Sequence, residues 1–406
     1  MSEIITITFN PIQTIALAVL AYLTGAYLVA NSQALRKYCI PIPVVGGMLF
    51  ALLIFMGKKI GLVNIVMVTQ PIQELFMNIF FTTIGFGASL AVVKKGGRKV
   101  LILLVLAAGV AILQNALGIG IASIFGIHPL YGVAAGSVSM AGGHGTAGAF
   151  GPALEAAGAA GATAIALAAA TIGLVIANLM GGPVATSNID KYKLAGIETS
   201  PAGKLNEVIK TEGIDSGRLF DSFLLILLVM GIGMFLSHAI VRFTPITALP
   251  SYIGALLTGA IIRNVAEASG KITIHSGEVR CIGDIGISIF LAMAMVSLDL
   301  TQVAALAGPV LMAVLAILAA QTLLTFIITK FVVFNALGKD YEAGVLSGGF
   351  VGLQMGATPN AVAIMKSVTT KYHDAPNVFL ILPIVSGFLL DLVNASLISV
   401  ALNIFG

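Results

Sequence analysis

Charge is what this 406-residue chain has least of: Asp, Glu, Lys and Arg together make up 9% of it. A water-facing domain carries roughly 25%, so little of this protein's surface is built for water. Tryptophan is absent, which leaves any belt at a membrane interface to Tyr and to charged anchors. The two cysteines, Cys39 and Cys281, each fall beside Arg or Lys at an expected cytoplasmic helix end. They have no metal or redox spacing, and no disulfide is expected there. The net charge of +4 is no nucleic-acid footprint. No phosphate-cradling P-loop of the ATP-driven machines is present. The Gly-x-Gly-Asp and Gly-x-Ser-Gly sequences of intramembrane proteases are missing too, since Cys281-Ile-Gly-Asp284 lacks the first glycine. Gly143-x-Gly145-x-x-Gly148 has dinucleotide-binding spacing, but no strand precedes it and no acidic residue follows about 20 positions on.

What the chain does have is apolar: 58% hydrophobic residues, a mean hydropathy of +1.05, and 46 glycines of the kind that let membrane helices approach closely. A hydrocarbon core of ~30 Å needs about 20 apolar residues per helix. Runs of that kind lie near 11–31, 41–57, 75–93, 100–125, 157–181, 219–240, 249–265, 283–298, 306–334 and 376–404. Met1–Asn10 holds no Lys or Arg, and the first run ends at Arg36 and Lys37 rather than at a cleavage site. It reads as a retained span.

Placing the N-terminus outside puts 18 of the 21 Lys and Arg residues in the cytoplasm and leaves Lys58, Lys59 and Arg242 outside. The positive-inside rule therefore predicts that both termini are external. The polar stretch from Pro183 to Arg218 divides the run list into two sets of five. The halves resemble each other at an offset of about 210: Pro43 answers Pro250, Gly142–Gly145 answers Gly348–Gly356, and Asn178 answers Asn394. Five spans per half turn the second copy upside down. The expected fold is an all-α integral membrane protein of about ten transmembrane helices. These form two inverted-topology repeats, 1–182 and 219–406, joined by a cytoplasmic connection at 183–218. That arrangement is a signature of secondary transporters.

Two further apolar stretches, about 129–152 and 342–366, are too interrupted by Gly and Pro to be ordinary spans. Each must leave the membrane on the side it came from, which predicts two re-entrant hairpins of opposite direction. The tip of such a hairpin has backbone groups that lipid cannot satisfy, so it must face protein or a wet cavity. Half-helix N-termini offer N–H groups and a positive dipole end to a carboxylate. Carbonyls, hydroxyls and amides offer hard oxygens to a cation such as sodium. Candidate substrate contacts are Gly142, Gly143, His144, Gly145, Thr146, Gln354, Gly356, Thr358 and Asp391; candidate cation ligands are Ser137, Ser139, Asn178, Ser347 and Asn394. Asp391 stands out because an acid inside a span is costly unless it has a task. His144 has no second ligand at metal spacing.

With the hairpins laid out, the chain resembles the bacterial glutamate:sodium symporter family. The resemblance is carried by Gly142-Gly-His-Gly-Thr146, Gly356-Ala-Thr-Pro359 and Asp391-Leu-Val-Asn-Ala395. Lys339-Asp-Tyr-Glu-Ala343 and Ile289-Phe-Leu-Ala-Met-Ala-Met-Val-Ser297 add to it. It implies sodium-driven L-glutamate uptake across the bacterial inner membrane by a lipid-embedded homodimer, with sodium as the coupling ion and no other cofactor. It also implies ten spans with two re-entrant loops and an elevator-type motion. Phe350-Val-Gly-Leu-Gln-Met-Gly356 departs from the family pattern, which has a Cys and more glycines there. Aspartate or a di- or tricarboxylate is the alternative substrate.

Overall fold

The computed structural model describes residues 5–33, 35, 41–69, 71–194, 214–243, 251–270, 272–298, 300, 308–375 and 377–406. Arg36, Lys37, Cys39, Pro250 and the middle of the 183–218 connection lie outside the described residues.

The chain opens with β1 (Ile5–Phe9), which pairs in parallel with β2 (Val63–Met67). This short ribbon is the one departure from all-helix among the described residues, and its Ile-Thr-Ile-Thr alternation is strand-like. Between the strands lie α1 (Pro11–Asn31) and α2 (Ile42–Lys59). Asn10 and Gln13 close a capping box at the start of α1, with Pro11 as its first residue. There follow α3 (Ile72–Phe86), α4 (Leu90–Ile124, kinked at Gly97), α5 (Pro129–Val133), a π-turn at Ala134–Val138, α6 (Gly143–Ala156) and α7 (Ala162–Lys191). The second half runs through α8 (Ser216–Phe243), α9 (Ser251–Ser269), α10 (Ser276–Val296) and α11 (Pro309–Ile327, continued to Ala336). It closes with α12 (Tyr341–Met355), α13 (Thr358–Lys371), α14 (Val378–Ile384), a π-turn and α15 (Leu390–Phe405).

Seven described helices are long and apolar enough to cross a membrane: α1, α2, α4 from Gly97, α7, α8, α10, and α11 with its continuation. The protein is thus a multi-pass membrane protein. The other three expected spans differ for local reasons. Helix α3 has 15 residues, α9 carries Arg263, Asn264 and Glu267 near its end, and the last run is divided by a π-turn at Val385–Leu389. Helix α7 passes through Pro183 and continues ten residues beyond the apolar run, which stops at 181. Large side chains stand exposed along the long helices, among them Leu101, Val105, Leu228 and Phe235. Such a surface suits hydrocarbon rather than water.

The helices pack as two groups, each drawn from both halves of the chain. Helices α1–α3 pack with α8–α10; α4–α7 pack with α11–α15. Within the first group, backbones cross at glycine pairs that recur between the halves. A Cβ on Gly46 would lie 1.8 Å from the Ala21 carbonyl oxygen, and one on Gly25 would lie 2.3 Å from that of Ile42. In the second half, a Cβ on Gly254 would lie 2.0 Å from the Gly233 oxygen, and one on Gly233 2.4 Å from Ala255 Cα. In lipid, where no hydrophobic force drives helices together, such backbone contact is what holds them. Tyr252 of α9 stacks on Phe81 of α3 at 4.3 Å and meets Phe150 of α6 edge-on at 5.5 Å, touching both groups.

The crossing makes a prediction. Gly46→Val must push α1 off α2, at a cost of about 1–3 kcal/mol. The expected outcome is a lowered thermal midpoint in detergent, and an unchanged midpoint would show that the two backbones do not touch there.

Candidate functional site

The two interrupted stretches meet at their breaks. In the first, the helix gives way at Gly136 (φ −92°, ψ −129°), passes through a turn, and restarts as α6 at Gly143, whose φ is +61°. In the second, α12 ends at Met355 and α13 begins at Thr358, with Gly356 and Ala357 between them. A Cβ on Gly143 would lie 2.6 Å from the Gly356 carbonyl oxygen, so one break rests directly on the other. Glycine serves Gly143 twice, allowing the left-handed backbone and the contact. Helix α7 stands behind both. A Cβ on Gly173 would meet Met140 Cε and the Met355 oxygen at 2.9 Å each, and one on Gly181 would meet the Gly348 oxygen at 3.1 Å.

Breaking a helix inside a membrane leaves carbonyls and N–H groups without ladder partners. Here buried side-chain amides take them up. Asn115 Oδ1 on α4 accepts from the Ser137 N–H at 3.0 Å, and Asn394 Nδ2 on α15 donates to the Ser137 carbonyl at 3.0 Å. Gln114 Nε2 donates to the Gln354 carbonyl at 2.9 Å, close to the end of α12. Gln321 Nε2 on α11 donates in turn to the Gln114 carbonyl at 2.8 Å. At the far ends of the second stretch, Asp340 caps α12 through the Ala343 N–H at 2.7 Å, and Lys99 pairs with Asp340 at 2.9 Å and with Glu342 at 2.7 Å. Tyr372 donates to Asp190 at 2.7 Å, tying α13 to the end of α7.

A cavity of about 1330 Å³ opens beside the breaks, between the two helix groups. The first group lines it with Phe80, Thr83, Arg280, Asp284 and Ile287. Of the residues singled out in the sequence, Gly142, His144, Gly145, Thr146, Gly356, Thr358 and Asp391 line it from the other side. His144 Nε2 lies 2.9 Å from Thr171 Oγ1. The Thr171 hydroxyl gives its hydrogen to the Leu167 carbonyl, so the shared proton on the His144 contact belongs to Nε2. Gly143 sits at the contact with Gly356. Gln354 turns away from the cavity, donating through Nε2 to the Ala107 carbonyl at 3.0 Å. Ser137 and Asn394 lie together behind the first break, as the bond between them requires. Ser139 donates to the Gly136 carbonyl at 3.3 Å. Asn178 and Ser347 donate to carbonyls one turn back in their own helices, Leu174 at 3.1 Å and Ala343 at 2.7 Å.

A family model described as sodium/glutamate symporter matches residues 7–374. The sodium/glutamate symporters of Escherichia coli K12 and Shigella flexneri are each 37% identical over 403 residues, and each match covers 97% of both chains. That of Haemophilus influenzae is 36% identical over 402 residues, again 97% of each. The chain belongs to the sodium/glutamate symporter family. A symporter family is a family of transporters and not a class of enzymes. The residues that sequence reasoning missed in this family member are Gln114, Asn115 and Gln321, which hold the breaks, and Arg280 and Asp284, which face the cavity. A signal for the first three was present: the adjacent pair Gln114-Asn115 and the single Gln321 are amides inside long apolar runs.

The arrangement presents the first turns of α6 and α13 to one cavity, together with the carboxyl of Asp391 and the charges of Arg280, Lys366 and Asp284. That suits a ligand with groups of both signs. The amide clasp is testable by itself. Asn115→Leu leaves the Ser137 N–H buried without its acceptor, a loss of about 1–3 kcal/mol. A fall in the thermal midpoint of the purified protein is expected. Wild-type stability in this variant would rule out the clasp.

Proposed function

We propose that this protein is a sodium-coupled secondary active symporter that imports L-glutamate, working by an elevator-type alternating-access motion. The observation that carries the reading is the meeting of Gly143 with Gly356 at a cavity between two separately packed helix groups. The group of α4–α7 and α11–α15 is the moving body, and the group of α1–α3 and α8–α10 is the frame. In this reading the two interrupted stretches are re-entrant hairpins within a ten-span fold of two inverted repeats. The glycine crossings Gly25–Gly46 and Gly233–Gly254, one in each half, support that symmetry. The cytoplasmic weighting of Lys and Arg supports external termini in a bacterial inner membrane. A homodimer completes the proposal.

The roles follow from chemistry. The N-terminal turns of α6 (Gly142, Gly143, His144, Gly145, Thr146) and α13 (Gly356, Thr358) face the carboxylates of glutamate with N–H groups and positive dipole ends. Asp391 pairs with the ammonium. Gln354 holds the second break in shape by its bond to Ala107. Sodium is taken by oxygens behind the breaks, with Ser137, Ser139, Asn178, Ser347 and Asn394 as the candidate set. Lys366 and Arg280 in the same cavity favour one second reading, a sodium-coupled carrier of another small anion such as aspartate or a di- or tricarboxylate.

Purified protein in proteoliposomes is expected to accumulate labelled glutamate under an inward sodium gradient and not under potassium. Uptake indifferent to sodium would overturn the proposal, and stronger competition by aspartate, citrate or malate than by unlabelled glutamate would move it to the second reading. Gly143→Ala adds a left-handed alanine against the Gly356 oxygen. It is expected to cut glutamate uptake about tenfold or more, since the left-handed cost alone is about 1–2 kcal/mol. Uptake at the wild-type rate would place the substrate elsewhere.

A further inference from the structure

Helices α9 and α10 each carry an Arg and an acid four residues apart, the spacing at which helical side chains meet. On α9 the pair closes: Arg263 Nε donates to Glu267 Oε1 at 2.7 Å, near the helix end. On α10 it stands open. Neither Arg280 nor Asp284 makes a hydrogen bond or an ion pair with another described residue. Both are exposed, although Glu278, Val279, Ile282 and Gly283 around them are buried. What they face is open space: the cavity of about 1330 Å³ and a second of about 500 Å³ on the α1 side of the same helix. Asp284 lies about 12 Å along α10 from Ser276, within a helix long and apolar enough to cross a membrane. An acid that deep in a span is costly unless it has a task.

The stripe of α10 that lines the larger cavity includes Arg280, Asp284, Ile287 and Leu291, in steps of three or four along one helix face. Its apolar part touches the first break. A Cβ on Gly145 would lie 3.4 Å from Phe80 Cε1 and 3.6 Å from Ile287 Cδ1. Asp284 and Arg280 then lead away from that contact, about one and two turns toward the start of α10.

We propose that Arg280 and Asp284 form a docking step for the zwitterionic head of the substrate on the wall of the frame. Arg280 takes a carboxylate and Asp284 takes the ammonium. The assignment rests on the glutamate-symport reading above and adds which ligand class is admitted and from which side. Opposite charges whose Cβ atoms are about 5–6 Å apart suit an α-amino acid, which carries its carboxylate and ammonium on one carbon. A di- or tricarboxylate has nothing to offer Asp284 and is repelled by it. Arg280 alone would suit any anion; the acid one turn away makes the selection. Lys366, Asp374 and Asp391 line the cavity from the other helix group and travel with the breaks, whereas Arg280 and Asp284 stay with the frame. A group fixed to the frame meets the substrate at only one end of the travel. In the orientation proposed above α10 starts on the cytoplasmic side, so the pair acts on that face.

Full-length protein in right-side-out and inside-out vesicles lets glutamate be titrated against each face in turn. Asp284→Asn and Arg280→Gln are each expected to raise glutamate KM about tenfold on the cytoplasmic face, the loss of one hydrogen bond between charged groups. On the external face the change is expected to stay within about threefold, a split that a general loss of structure would not produce. Glutarate, which is glutamate without its ammonium, separates the two roles. Its inhibition from the cytoplasmic face should weaken in Arg280→Gln and should hold or strengthen in Asp284→Asn. Arg280→Lys and Asp284→Glu keep the charges and are expected to retain most of the wild-type affinity. The unmutated protein offers a readout that needs no variant to fold: its preference for glutamate over glutarate should be larger on the cytoplasmic face. An unchanged KM in both variants, equal rises on the two faces, glutarate weakened by Asp284→Asn, or a wild-type preference equal on both faces would each overturn the docking step while leaving symport intact. Wild-type vesicles that carry no glutamate in either direction would sink the symport reading itself.

Discussion

A peptide group that loses its helical partner inside lipid has nowhere to turn but to the protein itself. Everything distinctive in this structure depends on how that constraint is met at two places, Gly136–Gly143 and Gly356–Ala357. The breaks expose backbone to a cavity, which is what gives the protein a site. They persist because Asn115 and Asn394 clasp one peptide unit, at Ser137, while Gln114 serves the Gln354 carbonyl. Those amides come from α4 and α15, so the helices around the breaks are bound to them by hydrogen bonds rather than by packing alone.

The remaining architecture divides the labour. Where α1 meets α2 and α8 meets α9, the backbones touch through glycine, and between α8 and α9 the Gly254 N–H also donates to Ser237 Oγ at 2.9 Å. Such crossings join these helices through small residues. Around the breaks, polar bonds over long sequence distances do the joining. The cavity lies at the seam between these two kinds of packing, with Phe80, Ile287, Arg280 and Asp284 on the side of α1–α3 and α8–α10 and helix starts on the other. In the elevator-type motion proposed above, one body slides against the other along this seam.

Much of this was legible in the chain. The scarcity of charge and the length of the apolar runs announced the spans, and the adjacent glycines at 142–145 and 348–356 announced the interruptions. Most of the glycine-rich candidates do line one cavity. Less legible were the side chains that serve the breaks. Gln354, which looks in sequence like a ligand for a carboxylate, spends its donor on Ala107. Asn178 and Asn394, paired in the sequence reading by an offset of about 210, have different partners: Asn178 donates to Leu174 in its own helix and Asn394 crosses to Ser137. Residue type and spacing are alike in both cases, and only the neighbour differs.

By itself the sequence determined that the protein lives in a membrane, where its helices are interrupted, and which family it belongs to. These are matters of composition and of local patterns spread along the chain. Only the tertiary structure decided which residues meet: Gly143 with Gly356, Asn394 with Ser137, Gln114 with Gln354. The reason is that a membrane helix is apolar on the face toward lipid and on the face toward protein alike. Hydropathy, which in a water-soluble helix separates inside from outside, no longer says which side has a partner. That choice is made by backbones close enough to touch and by buried amides with one bond still to make.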